Sequence, residues 1–380
     1  MRAGATPEAA APAKSVSSQF ASAVAAFDAG RLDEAKQLFE AVAGRDDQHA
    51  AARYNLGVIA ERQGDLAAAE RQYRDALAVD PVRARALLGL GKVLRAQGRA
   101  EEAVKLLQDA LQRPGLAGDP ALLNALAAAE RSAGQLPQAE ATARQVLVRV
   151  PDDAEAYRTL ALCALDQNNP RLAELYALTA RKRSEKDAAT ANTLGLVYLK
   201  LDERPRALAE LQRALALDPS FAPAQLNLGA LALSSRDYAT AEKAFSRALE
   251  LQPWSRQALL LRAWALDGLR AQDPRRGADA GAAFEKVLGL QPDDPEATCG
   301  AGFGYAADKA GYDRAVPFLE RCQKLASTPQ ERQAAEAKLR TIQAVMSATQ
   351  QKKEEAAPQG SGGSGEGSEP PADGPPAPPK

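Results

Sequence analysis

Histidine is almost absent from this chain, which has one in 380 residues, His49. A nucleophilic catalytic site needs a histidine or an equivalent base beside a serine or cysteine, and a histidine metal site needs at least two imidazoles. We interpret His49, which lies at a boundary between repeated segments, as a solvated surface residue. The sequence therefore predicts that the protein is not an enzyme and binds neither a cofactor nor a metal ion.

Cysteine is scarce as well, with three residues that lie far apart in the chain: Cys163, Cys299 and Cys322. An odd count without close spacing argues against a disulfide framework or a zinc site. We interpret Cys163 and Cys322 as small buried apolar residues. The helical phase of Cys299 points instead to an inner surface.

Neither sign of charge is in excess, because 48 Lys and Arg against 49 Asp and Glu give a formal net charge of -1. No global field therefore draws the protein toward nucleic acid or an anionic membrane, and we expect no nucleic-acid partner. No run of 18 or more apolar residues occurs, so the sequence predicts no membrane span.

Residues 1–15 form an Ala/Pro-rich leader that we expect to be flexible and that lacks the apolar core of a signal peptide. As written, the chain is therefore expected to be cytoplasmic. The alternative is a periplasmic or outer-membrane-attached protein whose N-terminal signal is missing from the sequence. Ala/Pro-rich leaders also follow the lipidated cysteine of bacterial envelope proteins.

What the chain does have is a repeat. An alanine anchors the second helix of each predicted repeat, at Ala35, Ala69, Ala103, Ala139, Ala173, Ala207, Ala241, Ala280 and Ala315. The successive spacings are 34, 34, 36, 34, 34, 34, 39 and 35 residues. A period near 34 residues marks an array of helix-turn-helix repeats, and this array leaves no room for a separate catalytic domain.

Other residues recur in register with these alanines. The second repeat carries Leu56-Gly57, Gly64, Ala69, Tyr73, Ala76 and Pro81. The sixth and seventh repeats carry the same pattern from Leu194-Gly195 and from Leu228-Gly229. This pattern resembles the tetratricopeptide repeat (TPR) family. The resemblance implies an all-α fold, a right-handed superhelix or α-solenoid of about nine repeats with a C-terminal capping helix and a disordered tail.

The predicted array covers residues 16–328. Its repeats start near residues 16, 50, 84, 120, 154, 188, 222, 256 and 295. Residues 329–355 have apolar side chains three or four apart, which predicts a solvated capping helix. Residues 356–380 are rich in Gly, Ser and Pro, so we expect a disordered tail. An insertion near Asp273–Gly281 is a candidate for partner specificity.

Glycines recur in the middle of the predicted first helices, at Gly57, Gly91, Gly195, Gly229 and Gly302. Because glycine costs about 1 kcal/mol in a helix relative to alanine, we expect close approach of the second helix as the compensation. The Gly300-x-Gly302-x-Gly304 stretch is therefore interpreted as helix packing rather than as a phosphate loop, and no Gly-Lys-Ser/Thr follows it.

Paired aspartates, Asp46-Asp47, Asp152-Asp153 and Asp293-Asp294, recur at the predicted helix ends. We interpret them as helix caps rather than as metal ligands or acid/base pairs.

The family resemblance implies that first helices line a concave face, with positions 2, 5, 6, 9, 12 and 13 of each repeat pointing inward. In repeats two to five these positions are rich in cations and amides: Tyr54, Asn55, Arg62, Arg85, Lys92, Arg95, Asn124, Arg131 and Arg158. Fewer acids share the face, namely Glu61, Glu155 and Asp166. We expect the N-terminal half of the groove to be basic.

From the sixth repeat onward the predicted lining becomes apolar, with Asn192, Leu226, Asn227, Leu260, Trp264 and Phe303. A polar half that pairs with carboxylates and amides, next to an apolar half with an aromatic anchor, suits an extended or helical peptide. The alternative is that the leucines are core residues and the arginines an ordinary solvated surface.

The sequence therefore predicts a non-enzymatic scaffold or adaptor that binds a protein or peptide partner in its concave groove. The Ala/Arg/Leu-rich composition is typical of a bacterium of high GC content, so we expect a bacterial multiprotein assembly. One alternative is a periplasmic or outer-membrane-attached assembly factor for secretion, pilus or gliding-motility machinery. Another is a regulatory subunit of an enzyme complex. The oligomeric state is not predicted.

Overall fold

The computed structural model describes residues 15–270, 273 and 275–356, and this part of the chain contains helices and turns but no strand. The nine helix pairs are α1 (Val16–Asp28) and α2 (Leu32–Arg45), α3 (Ala50–Gln63) and α4 (Leu66–Val79), α5 (Ala84–Ala96) and α6 (Ala100–Leu111), α7 (Pro120–Ser132) and α8 (Leu136–Arg149), α9 (Ala154–Asp166) and α10 (Pro170–Arg183), α11 (Ala188–Lys200) and α12 (Arg204–Leu217), α13 (Ala222–Ser234) and α14 (Tyr238–Leu251), α15 (Arg256–Arg270) and α16 (Arg276–Leu290), α17 (Pro295–Tyr305) and α18 (Tyr312–Leu325).

A single long helix, α19 (Pro329–Ala356), follows the ninth pair and packs against α17 and α18. The fold prediction of an all-α array of repeats is therefore confirmed. The predicted leader, apart from its last residue, and the predicted tail after residue 356 lie outside the described residues. Within the predicted insertion, α16 already begins at Arg276.

The helices pack in two layers. From α3 onward the first helices of successive repeats contact one another, whereas each second helix mainly contacts the helices next to it in sequence. In a curved array the more tightly packed layer is the inner one, so the first helices form the concave side.

The anchoring alanines lie at the seam between the two helices of each pair. All nine of them are completely buried, with 0% of their surface exposed. The mid-helix glycines face the same seam: a Cβ on Gly229 would lie 2.6 Å from Cε1 of Phe245, and a Cβ on Gly57 equally close to the ring of Tyr73. Ring and backbone therefore fill the space that a side chain would need, which is the compensation expected for glycine in a helix.

Side-chain caps begin many of the first helices. The Asp153 carboxylate accepts from the N–H of Ala156 at 2.7 Å, and that of Asp294 accepts from the N–H of Ala297 at 2.9 Å, as predicted for these two pairs. The prediction is wrong for Asp46-Asp47, because His49 caps the helix that follows. His49 also caps a helix: its Nδ1 accepts from the N–H of Ala52, and its ring packs on Phe20 at a centroid distance of 4.7 Å. The lone histidine is thus half-buried and structural rather than simply solvated.

The last repeat contains a disulfide between Cys299 on α17 and Cys322 on α18, with a Cα–Cα distance of 4.8 Å. This corrects the interpretation of both cysteines from their sequence spacing. The two helices of a repeat run antiparallel, so residues 23 positions apart lie side by side. Cys163 is free and buried, as expected.

One carboxyl group is buried in the seam of the fourth repeat. Glu130 on α7 is 3% exposed, and its Oε2 has no hydrogen-bond partner among the described residues. Burial raises the pKa of the Glu130 carboxyl, an effect that the Thr142 hydroxyl only partly offsets. The same register position holds buried Leu94 in the third repeat and buried Leu266 in the eighth.

We expect Glu130→Leu to stabilise the protein. Because the folded-state pKa is raised, the wild-type residue favours folding when it is protonated, and this contribution is lost as the pH rises from about 4.5 through the folded-state pKa. The variant should therefore gain little at pH 4 and about 1–3 kcal/mol at pH 7.5. Urea unfolding at both pH values measures this, and an equal gain at the two pH values would contradict it.

Candidate partner-binding groove

A large cavity lies on the concave side. It has a volume of about 710 Å³ and takes side chains from α5, α7, α9, α11 and α13. A second concave cavity of about 490 Å³ lies beside it, on α3 and α5 with Tyr73 of α4. Together they form the groove described below, which extends over repeats two to seven.

The groove contains ten of the fifteen predicted partner-binding residues. The larger cavity is lined by Lys92, Arg95, Arg131, Arg158, Asn192, Leu226 and Asn227. The smaller one is lined by Tyr54, Arg62, Arg85 and again Lys92. The other five predicted residues line neither cavity and are Asn55, Asn124, Leu260, Trp264 and Phe303.

Sequence reasoning missed several residues that line the larger cavity. Phe221 and Pro223, at the start of α13, and Leu162 on α9 add apolar surface next to the cations. Phe221 precedes its helix, so a rule based on positions within first helices gives no signal for it. Repeat positions predict only residues within α13 for the groove, and Phe221 lies before the first of them.

Three of the six cations that line the groove have a carboxylate partner. The Arg131 guanidinium donates to Asp166 at 2.6 Å, and Arg158 pairs with Asp187 at 3.2 Å. The Lys92 ammonium pairs with Glu61. These pairs join neighbouring repeats, so they hold the basic side chains in place along the groove.

Arg95 differs from these residues. Its Nε donates to the Ser132 hydroxyl at 3.1 Å, and it forms no ion pair with any of the described residues. Burial, with a smaller contribution from the charge of Arg131, lowers the pKa of Arg95. A half-buried cation without a counter-ion gains stability from an incoming anion.

The predicted asparagines bond within the chain. The buried Asn124 amide donates to both carboxylate oxygens of Asp153, at 3.2 and 3.3 Å, and so braces the cap of the next repeat. The Asn227 amide donates to Oδ1 of Asn192 at 2.8 Å. The Asn55 amide donates to the Ala51 carbonyl of its own helix. That these amides bind a partner's backbone stays a prediction.

The C-terminal part of the concave side carries an aromatic group outside the groove. Trp264 is 37% exposed, its ring packs edge-on against Phe284, and its indole N–H donates to Glu296 at 2.7 Å. Leu260 and Phe303 are half-buried and pack against the apolar clusters of the last repeats. Only Trp264 therefore exposes a large apolar surface here.

No group of three or more potential metal ligands occurs among the residues that the structure describes. None of the described helices is long and apolar enough to cross a membrane.

An array of helix pairs that curves around a lined groove defines a class of protein, the α-solenoids that bind partners on their concave surface. Sequence profiles of one tetratricopeptide repeat model match residues 20–72, 60–120, 192–253 and 231–295. A second tetratricopeptide repeat profile matches residues 94–163. The chain belongs to the tetratricopeptide repeat family, whose members are generally non-catalytic scaffolds for protein–protein interaction.

One curated relative is the cellulose synthase 1 operon protein C of Komagataeibacter xylinus, which is 26% identical over 285 residues. The match covers 70% of this chain but only 20% of the relative, so the chain spans about a fifth of that protein's length.

Two solved structures share the fold. The Cut9-Hcn1 hetero-tetramer of APC/C matches with a TM-score of 0.53 and 16% identity, over 82% of this chain and 59% of that one. The human IFIT1 dimer with PPP-AAAA matches with a TM-score of 0.50 and 17% identity, over 83% of this chain and 74% of that one. At these identities the similarity concerns the fold alone.

Proposed function

We propose that this protein is a non-enzymatic scaffold that binds a segment of a partner protein in its concave groove, within a bacterial multiprotein assembly. One observation carries the proposal: the 710 Å³ cavity is lined by four basic side chains and one carboxylate, and also by the apolar side chains of Leu162, Leu196, Phe221 and Leu226. Cavities of this size with a few fixed polar groups are typical of binding sites.

The lining also supports a chemistry for the partner segment. Arg95 lacks a counter-ion, and Leu162, Phe221 and Leu226 lie in the same cavity. A segment with a carboxylate next to apolar side chains would satisfy both parts of this surface. The near-zero net charge of the whole chain supports a protein partner over nucleic acid, since no basic field extends beyond the groove.

For the compartment, the disulfide favours the periplasmic or outer-membrane-attached alternative. Stable disulfides form in oxidising compartments such as the bacterial periplasm and are rare in the cytosol. The Cys299–Cys322 pair therefore supports a protein outside the cytoplasm. Acid quenching of cells followed by thiol alkylation of each fraction tests this. Recovery of the protein only from the cytoplasm with three free thiols would contradict it.

The relative's name supports a bacterial assembly as the setting. That relative is named for an operon of a bacterial cellulose synthase. By analogy, this chain would act together with a bacterial enzyme complex. Two candidates follow, an assembly factor of envelope machinery and a regulatory subunit of an enzyme complex. Copurifying enzyme activity that is lost with groove variants would favour the second.

The direct test is affinity purification with mass spectrometry on the wild type and on a concave-side variant. This variant, called the groove variant below, combines Arg95→Glu and Arg131→Glu in the groove with Trp264→Ala beyond its C-terminal end. We expect the variant to lose the partner, because it reverses two charges in the groove and removes the exposed aromatic group. An alanine in place of a buried interface aromatic commonly costs about 2 kcal/mol or more, a loss of roughly 30-fold in affinity.

A matched control variant carries the same changes on second helices: Arg71→Glu, Lys105→Glu and Leu175→Ala, all at exposed positions. Circular dichroism checks that both variants fold. Loss of the partner from the groove variant alone supports the proposal. Equal recovery from wild type and groove variant, or loss from the control alone, would move the working surface to the outer face.

A further inference from the structure

Two parts of the array that are distant in sequence touch each other. Trp254 lies in the loop between α14 and α15, and its indole N–H donates to the backbone carbonyl of Glu61, 193 residues away, at 3.3 Å. A Cβ on Gly64 would lie 3.2 Å from Cδ1 of Trp254 and 3.6 Å from Cβ of Pro253. The start of the eighth repeat therefore contacts the end of α3 in the second repeat, one superhelical turn away.

This cross-turn contact, formed by Pro253 and Trp254 with Glu61 and Gly64, is specific to one place. A Cβ on Gly30, Gly98 or Gly134, which occupy the same turn in other repeats, would meet nothing within 4 Å. In other repeats, the loop position equivalent to Trp254 is occupied by exposed residues such as Val82, Ser220 and Asp293. A large aromatic residue thus replaces small or polar ones where the two turns meet.

Two features of the end of α3 allow Trp254 to pack there. Gly64 has a φ of +83° and no side chain, so the indole can lie against its backbone. Carbonyl groups in the last turn of a helix lack partners within the helix, and the Glu61 carbonyl accepts from Trp254 in addition to the N–H of Gly64.

Glu61 also lines the groove. The Glu61 side chain lines the smaller cavity, pairs with Lys92 and accepts from the Tyr73 hydroxyl at 3.1 Å. Its backbone carbonyl therefore forms the cross-turn contact while its carboxylate lies in the groove.

We propose that the cross-turn contact is a clasp that closes the groove from the side, so that a partner segment enters from the ends of the superhelix or when the clasp opens. The clasp proposal rests on the proposed function, because it takes the groove to be the binding surface. It also specifies the kind of partner segment: a free chain end or an unfolded stretch, because a folded domain cannot pass between touching turns.

The experiment measures access to the groove without any partner. Ser132→Cys places a thiol in the larger cavity at an exposed position. Without reductant it is the only reactive thiol, because Cys299 and Cys322 are cross-linked and burial raises the pKa of Cys163 to about 11. The protein is treated with N-ethylmaleimide, and separately with a bulky maleimide that is coupled through a short linker to a small folded protein, which the clasp should exclude.

We expect the small reagent to react at the same rate in all variants and the bulky reagent to react slowly when the clasp is intact. Adding Trp254→Ala should raise the rate of the bulky reagent about tenfold, which corresponds to about 1.4 kcal/mol. Trp254→Phe, which keeps the apolar contact but not the N–H, should give a smaller rise. Val82→Ala, at the matching loop position, should give none.

Small-angle X-ray scattering provides a second readout, and the largest dimension should increase in Trp254→Ala but not in Val82→Ala. Equal bulky-reagent rates in all four proteins, together with equal scattering of the Trp254→Ala, Val82→Ala and unsubstituted proteins, would overturn the clasp. That result would leave the proposed function intact, because partner recovery with the groove variant is measured separately. Equal recovery of the partner from the wild type and the groove variant would refute the proposed function. The labelling rates do not depend on that result.

Discussion

Gly304→Ala is expected to lower the free energy of unfolding of the last two repeats by about 3 kcal/mol, the upper part of the range for overpacked cores. A Cβ at Gly304 would lie 2.7 Å from the backbone N and 2.9 Å from the Cα of Gly281. These are backbone atoms of α16, which cannot rotate away as a side chain can. Helices α16 and α17 would have to separate, and thermal unfolding followed by circular dichroism measures the loss.

Gly289→Ala provides the matched control. Gly289 also lies on α16, but a Cβ there would meet nothing within 4 Å. The added alanine should stabilise the helix by about 0.5–1 kcal/mol. Opposite signs for the two substitutions support the packing described for Gly304. A stabilising Gly304→Ala would contradict it, and with it the interpretation of the Gly300-x-Gly302-x-Gly304 stretch.

Reduction of the Cys299–Cys322 disulfide is expected to destabilise the C-terminal end of the array by about 3 kcal/mol, the size expected for closing a loop of this length. The cross-link joins α17 to α18, on which α19 packs. The last repeat packs mainly on α15, α16 and α19 and takes no part in the cross-turn contact, so the loss should be confined to the last repeat and the capping helix. Hydrogen exchange of α17 to α19, with and without reductant, measures it.

The control is the double variant Cys299→Ser and Cys322→Ser, in which reductant should have no effect on exchange. Thiol counting supplies an independent check: the denatured wild type should show one reactive thiol before reduction, from Cys163, and three afterwards. Three thiols before reduction would contradict the disulfide and remove the main support for a location outside the cytoplasm.

Much of the fold could be predicted because its constraints are local. Each second helix buries an alanine at the seam, and five of the first helices carry a glycine that faces it, so Ala241 and Gly229 reveal the register at a fixed spacing within one repeat. The same register placed most of the predicted cations in the groove, since a first helix presents the same positions inward in every repeat.

Sequence reasoning missed the disulfide because a rule of cysteine number and spacing ignores the antiparallel pairing of α17 and α18, which places Cys299 beside Cys322. The other missed contacts join positions that no periodicity relates. Trp254 touches Gly64 only because six repeats complete a superhelical turn, and the curvature of the array is not encoded in any single repeat. Asn124 has the position of a binding residue, but the neighbouring cap, Asp153, uses its amide.

The central claim, that the concave groove is the partner-binding surface, is tested most directly by site-specific photo-crosslinking in cells. A photoreactive phenylalanine analogue is placed at Ala96 and Leu226, which line the larger cavity, and at Leu175 and Leu208, exposed on second helices. We predict one common adduct from the two groove positions and none from the other two. Adducts from Leu175 and Leu208 alone would contradict the account and place binding on the outer face.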